Sequence, residues 1–294
     1  MYNMLSDDQE IHTNFFRVCH RKQKPLFPNI MRKHPYIFLS GLVITILTVT
    51  IFYISIDYYT TAIDFKPYSI TKQHDDTMRI GFIGDSWAFY HKRHICKIDS
   101  IISDKTKRPV KIMSEGGCGA TSKFVYLRLG ADGDIRHIIN QGPDYCIISA
   151  GINDTHLKLG AKFYQYHMNL IISLLISNHI KPIVIDIPDY DITGIYNELP
   201  FYKRCLRQFS MMITGSNMDC RDDFRNKLQE LAEQREGKIL LLSHRSWHSD
   251  ALNDVDHLYR NDRIHLNNKG YEVLDSCISK LIISDINKCN SLKK

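Results

Sequence analysis

A Gly84-Asp85-Ser86-Trp87 tetrapeptide closes a short apolar run and opens a stretch with helical spacing. A serine placed there meets the N–H groups and positive dipole end of a helix, which favour a developing oxyanion. Three further blocks would complete such chemistry. Gly116-Gly117-Cys118-Gly119-Ala120-Thr121-Ser122 is a glycine-rich turn that lets backbone N–H groups approach a ligand closely. Gly151-Ile152-Asn153-Asp154 offers a side-chain amide able to donate to an oxyanion. Asp262-Arg263-Ile264-His265-Leu266-Asn267 sets a carboxylate three residues before an imidazole, so that the acid can fix the ring's tautomer and orientation. Taken singly, each block has a plainer reading. These are a helix N-cap, a flexible turn, an Asn–Asp turn and a surface loop.

The elements around the blocks decide between those readings. Short apolar runs rich in β-branched residues predict strands at Arg79–Gly84, Val110–Ser114, Tyr145–Ala150, Pro182–Ile187 and Ile239–Ser243. Helical patterns lie between and after them, at Trp87–Ser103, Thr121–Asn140, Ala161–Asn178, Asn197–Thr214, Arg221–Glu236 and Lys269–Ser284. Strand–helix alternation implies a parallel sheet with helices on both faces. In such sheets ligands bind beyond the carboxyl ends of the strands, and three of the four blocks directly follow a predicted strand.

In this order and context the four blocks resemble those of the SGNH (GDSL) hydrolases, over about residues 78–285. The resemblance implies an α/β fold: a three-layer α/β/α sandwich around a parallel sheet, similar to flavodoxin. It implies Ser86 as nucleophile, His265 as general base and then acid, and Asp262 as the acid that orients it. It implies an oxyanion hole of the Ser86 N–H, Gly119 and Asn153. Trp87 departs from the leucine of the family name and is expected to narrow the acyl pocket. Cys118 reads as a small packing residue. No metal or cofactor is needed for this chemistry. His91 and His94, with Lys92 and Arg93 between them, read as a solvated helix face rather than metal ligands.

The expected activity is a serine esterase that removes small acyl groups from carbohydrate or envelope esters, the substrate being a small molecule or polysaccharide. The competing readings are an O-acyltransferase using a sugar hydroxyl on the same triad, and a non-catalytic binding module. A second Asp-x-x-His-Leu stretch, Asp254 to Leu258, repeats the spacing of Asp262 to Leu266. Context favours His265, because Asn267, Asn268, Gly270 and Tyr271 lead from it into an amphipathic helix.

The formal charge of the 294-residue chain is +6. Half of it sits in residues 1–35, where six Lys/Arg meet three acids. The remainder carries no basic stripe with interleaved aromatics, which argues against nucleic acid as a partner. Tyr36–Ile56 is uncharged and long enough to cross a ~30 Å hydrocarbon core. It also exceeds the ~7–15 residues of a signal-peptide core. The expected organisation is therefore a basic leader at 1–35, a membrane span at 36–57, a tether at 58–77 and a hydrolase domain at 78–294. Basic residues dense before the run and sparse after it place the N-terminus in the cytoplasm and the domain outside. Seven of eight cysteines follow the run (Cys96, Cys118, Cys146, Cys205, Cys220, Cys277 and Cys289), where disulfides are permitted but an odd number leaves one unpaired. Cys146, in an apolar run, reads as a core residue.

Overall fold

The computed structural model describes residues 35–59 (side chains through 51), 67–70, 75–130, 133–247 and 250–291. The expected leader at 1–35, Pro35 excepted, and most of the tether at 58–77 lie outside the described residues. The chain divides into two units, Met1–Thr60 and Thr61–Lys294.

The described part of the first unit is a helix, α1 (Pro35–Tyr59). Every side chain of residues 35–51 is exposed, and none is charged. The hydroxyls of Ser40, Thr45 and Thr48 donate to the carbonyls of Ile37, Gly41 and Ile44, so the few polar side chains are satisfied inside the helix. Among the described residues no helix is long and apolar enough to cross a membrane. The span expected at 36–57 therefore rests on the sequence pattern.

The second unit is built on five strands: β1 (Met78–Gly84), β2 (Val110–Gly116), β3 (Tyr145–Ser149), β4 (Lys181–Ile185) and β5 (Leu240–Leu242). All pair in parallel, in the order β2-β1-β3-β4-β5. β1 and β3 are buried along their whole length, which is why they read as continuous apolar runs rather than alternating ones. All five predicted strands are present, with ends shifted by a few residues.

Several helices depart from expectation, each for a local reason. The stretch 87–103 is two helices, α2 (Ser86–His91) and α3 (Ile98–Thr106). Buried Asp275 holds both, taking His91 Nε2 at 2.8 Å and the Lys97 N–H at 2.9 Å, so the chain must turn between them. The stretch 121–140 divides into α4 (Ser122–Leu127) and α5 (Arg136–Asn140), with Gly130 and Gly133 between them. α6 (Ile152–Leu157) and α7 (Ala161–Ser177) follow β3. The helix expected at Asn197–Thr214 starts later, as α9 (Phe201–Thr214), and Asn197 ends up in a separate helix, α8 (Ile192–Glu198), because Leu199 before Pro200 is driven out of helical geometry. α10 (Arg221–Glu233) precedes β5. α11 (Asn268–Ser291) outruns its predicted end because Asp285 accepts from Tyr145 Oη and Lys181 Nζ at the start of β3 and β4.

The chain winds outward from β1 to β2, then back across to β3, β4 and β5. Right-handed crossovers put the helices of those two directions on opposite faces. In agreement, α3 packs with α11, while α4 and α10 pack with α7. The winding direction reverses beside β1, so the crevice for a ligand opens at the carboxyl ends of β1 and β3.

Gly84 ends β1 at φ +151°, and a Cβ there would stand 2.0 Å from the Ser149 carbonyl oxygen. That neighbour is backbone of the adjacent strand and cannot yield. Gly84→Ala should therefore lose at least about 2–3 kcal/mol of stability, measured by urea unfolding. An unchanged midpoint would show that the two strand ends are not this close.

Candidate active site

Ser86 is the first residue of α2. Asp85 before it is the N-cap, its Oδ1 accepting from the Trp87 N–H at 3.0 Å. The Ser86 side chain is nearly buried at 7% exposure, yet its Oγ lies 2.9 Å from His265 Nε2. The other ring nitrogen, Nδ1, is 2.8 Å from Asp262 Oδ2. Asp262 Oδ1 accepts from the N–H groups of Ile264 and His265, which folds the loop into one tight turn. Burial pushes the Asp262 carboxyl up, but these N–H bonds and the His265 ring outweigh it and hold the acid below its ordinary value. Arg263 sits at φ +56° in the same turn, a left-handed conformation that a non-glycine residue adopts at a cost. Its guanidinium bonds Asp191 at 3.0 Å.

The glycine-rich and Asn153 blocks are locked to this centre. The Gly117 N–H donates to the Gly84 carbonyl at 3.0 Å. A Cβ on Gly116 would stand 2.3 Å from the Asp85 carbonyl oxygen, so only glycine lets that turn lie on α2. Gly119 is exposed at φ +75° with open space where a side chain would be. Asn153 donates one amide hydrogen to the Ala120 carbonyl at 2.9 Å, which fixes the amide beside Gly119. Asp154, fully buried, accepts from the Ser122 N–H at 2.8 Å and the Ser122 hydroxyl at 2.5 Å. Desolvation raises its pKa to about 6 against the pull of those donors. Burial likewise raises Asp85 to about 7 although Trp87 and Ser149 donate to it.

Three residues shape the site through contacts that the sequence does not announce. Trp87 is 1% exposed, packs edge-on against Trp247, and donates from Nε1 to the Ile264 carbonyl at 3.0 Å. It therefore faces the core and holds the His265 loop, which corrects the expectation that it narrows the acyl pocket. Tyr90 stands edge-on to the His265 ring at 5.1 Å. Four residues after Ser86, it lies one helical turn along the same face, the one hint the sequence offered. Arg260 stacks on Tyr90 at 4.4 Å, and its N–H and Nε–H donate to the carbonyls of His265 and Leu266.

The second Asp-x-x-His stretch is built differently. Asp254 caps the N–H groups of Leu258 and Tyr259 rather than pairing with the His257 ring, and His257 gives its carbonyl to Asn267. His91 also differs from its solvated-face reading. It is 1% exposed and pairs with Asp275, while His94 is half-buried and stacks on Tyr271. Ligand atoms of His91, Cys96 and Asp275 lie within 4.8 Å of one another, the spacing of a metal cluster, beside a cavity of about 320 Å³. His91 and Asp275 already satisfy one another there. Cys118 is exposed rather than packed, Cys146 is buried as expected, and all seven described cysteines are free thiols.

Between the ordinary carboxyl value near 4 and its folded value of about 6, Asp154 binds a proton more readily in the folded chain than in the unfolded one. Wild-type stability should thus fall, relative to Asp154→Asn, as pH rises through that window. Urea unfolding of both proteins at several pH values reads the difference, and a flat difference would mean that burial does not control this acid.

The sequence matches no protein-family model and no curated protein sequence. Among solved structures, a GDSL-like lipase from Parabacteroides merdae superposes with a TM-score of 0.51 at 15% identity, covering 73% of this chain and 98% of that one. The psychrotrophic esterase EstA from Pseudoalteromonas, in a structure inhibited by monoethylphosphonate, superposes with a TM-score of 0.50 at 16% identity. It covers 72% of this chain and 100% of that one. Both matches cover nearly the full length of the other protein, so this chain shares the fold of that GDSL-like lipase and that esterase.

Proposed function

We propose that the chain is a serine ester hydrolase of the SGNH/GDSL type. The observation that carries this reading is the continuous contact from Asp262 through His265 to Ser86, at 2.8 and 2.9 Å. A serine hydroxyl is a weak nucleophile until a base removes its proton, and His265 Nε2 is within reach of that proton. Ser86 Oγ attacks the ester carbonyl carbon as its proton passes to Nε2. Asp262 stabilises the resulting imidazolium and keeps its tautomer. The tetrahedral oxyanion is held by the N–H groups of Ser86 and Gly119 and by the second amide hydrogen of Asn153. His265 then protonates the departing alcohol. Water enters with His265 as base and releases the acid, restoring Ser86.

The Asn153 amide is held by the Ala120 carbonyl before a substrate arrives, the preorganisation that electrostatic stabilisation requires. Losing one such donor typically costs ~3–4 kcal/mol in the transition state. The substrate reading is an acyl ester of a small molecule or carbohydrate. With Trp87 in the core, nothing at that position selects acyl length. We further propose that residues 36–57 span a membrane, with the basic leader in the cytoplasm and the hydrolase domain outside. The uncharged run and the all-round exposure of apolar side chains over residues 35–51 support it.

Ser86→Ala should keep its unfolding midpoint but lose hydrolysis of a chromogenic acetyl ester by roughly 10⁴-fold or more, together with all labelling by a fluorophosphonate. His265→Ala should lose turnover similarly, whereas His257→Ala keeps most of it. Labelling that survives in the Ser86 variant, or turnover lost only in the His257 variant, would refute the assignment. For topology, protease added to sealed cells should cleave the domain at 78–294. Cleavage only after the membrane is opened would reverse the orientation.

A further inference from the structure

Helix α9 is amphipathic in the ordinary way but faces the wrong way for a soluble surface. At about 100° per residue, Phe201, Cys205 and Met212 form one row and Tyr202, Leu206 and Ile213 the next, a single broad apolar face. Such a face normally packs on the core. Here no residue of the helix is buried, and the apolar face points outward: Phe201 is 74% exposed, Leu206 58% and Met212 80%. The polar face points inward. Ser210 and Thr214 donate their hydroxyls to the Lys158 carbonyl, and the Nε atoms of Arg204 and Arg207 are buried. Turning the helix over would bury its apolar row, and the sequence instead anchors the opposite side.

We infer that the outward face of α9 is a docking surface for an anionic lipid bilayer. The helix carries Lys203, Arg204 and Arg207 and no acid. Exposed Lys203 borders the apolar face on one edge and half-exposed Arg204 on the other, while Arg207 lies on the inward side. An apolar face with a basic border is the composition of a helix that lies in the headgroup region, with Phe201 and Tyr202 suited to the interface. The charge also argues against a second copy of this chain. A two-fold contact would set two such helices together and repel their like charges. The surface lies on the functional side of the sheet. α9 is tied to Lys158, which caps the C-terminal end of α6, the helix that bears Asn153, and α8 before it opens with Asp191, the partner of Arg263. The inference rests on this geometry and needs neither ester hydrolysis nor the span at 36–57.

The test adds the full chain to nanodiscs of phosphatidylcholine, with or without phosphatidylglycerol, each carrying a photoactivatable phospholipid. Crosslinks are mapped by mass spectrometry. Crosslinks on the peptide 201–214 are expected with phosphatidylglycerol, about tenfold fewer without it, and lost in Leu206→Asp/Ile213→Asp. Both replaced side chains are exposed, so an unchanged unfolding midpoint identifies the loss as surface chemistry. Crosslinks confined to 36–57 would overturn the inference. So would equal crosslinking in both lipids, or a dimer in solution that the double variant dissolves. Fluorophosphonate labelling of Ser86 in the same samples reports the hydrolase reading separately.

Discussion

Two buried carboxylates hold the loops of the candidate site in place, and each stands beside a residue of the proposed chemistry. Asp85 precedes Ser86 and joins the end of β1 to β3 through Ser149; Asp154 follows Asn153 and joins the start of α6 to the start of α4 through Ser122. Burying an acid is unfavourable unless donors meet it, so these positions tolerate little displacement of their partners. The upward shifts to about 7 and about 6 show that burial outweighs the donors at both. The energetic penalty fixes where two strands and two loops may stand, and the outer groups inherit that precision. Asn153 and Gly119 are exposed or half-exposed, but the backbone that carries them is set from within.

The His265 loop is held by another kind of contact. It follows a short strand and an irregular segment, so no long element supports it from the N-terminal side. Trp87 substitutes for that support by gripping the Ile264 carbonyl from α2, the helix that carries Ser86. Arg260 grips the next two carbonyls and is itself held over Tyr90, also on α2. Ser86 and His265, the proposed nucleophile and base, are therefore positioned by one helix, despite lying 179 residues apart. A misplacement of about 1 Å between them would cost roughly a hundredfold in rate, which gives this double grip its purpose.

The sequence made some of this readable and hid the rest for physical reasons. Strands buried on both faces must be apolar throughout, so β1, β3 and β4 stood out, while the half-covered edge strands β2 and β5 were legible only as short aliphatic runs. The first two blocks were legible because glycine at Gly84 and Gly116 is demanded by backbone approach, and such demands leave a mark in residue type. Grips by Trp87 and Arg260 use carbonyl oxygens, which every residue has, so the partner leaves no trace. Pro200 was a visible breaker passed over within a longer helical pattern. The division of α2 from α3 was not visible, because its cause is Asp275, far along the chain.

Periodicity also omits direction. The pattern of Phe201–Thr214 establishes an amphipathic helix, but a 3.6-residue repeat is the same whether its apolar side meets the core or turns away. What decides is which side the fold can anchor. Ser210 and Thr214 find a helix-end carbonyl at Lys158, one of the acceptors a helix leaves unsatisfied, and that pairing commits the opposite side to the outside. The cost of leaving large apolar side chains in water is recovered only where they meet an apolar medium. In α1 the described apolar side chains surround the helix, whereas in α9 they occupy one side and basic residues flank them. The first pattern suits immersion and the second suits a boundary between oil and water, and the same chain carries both.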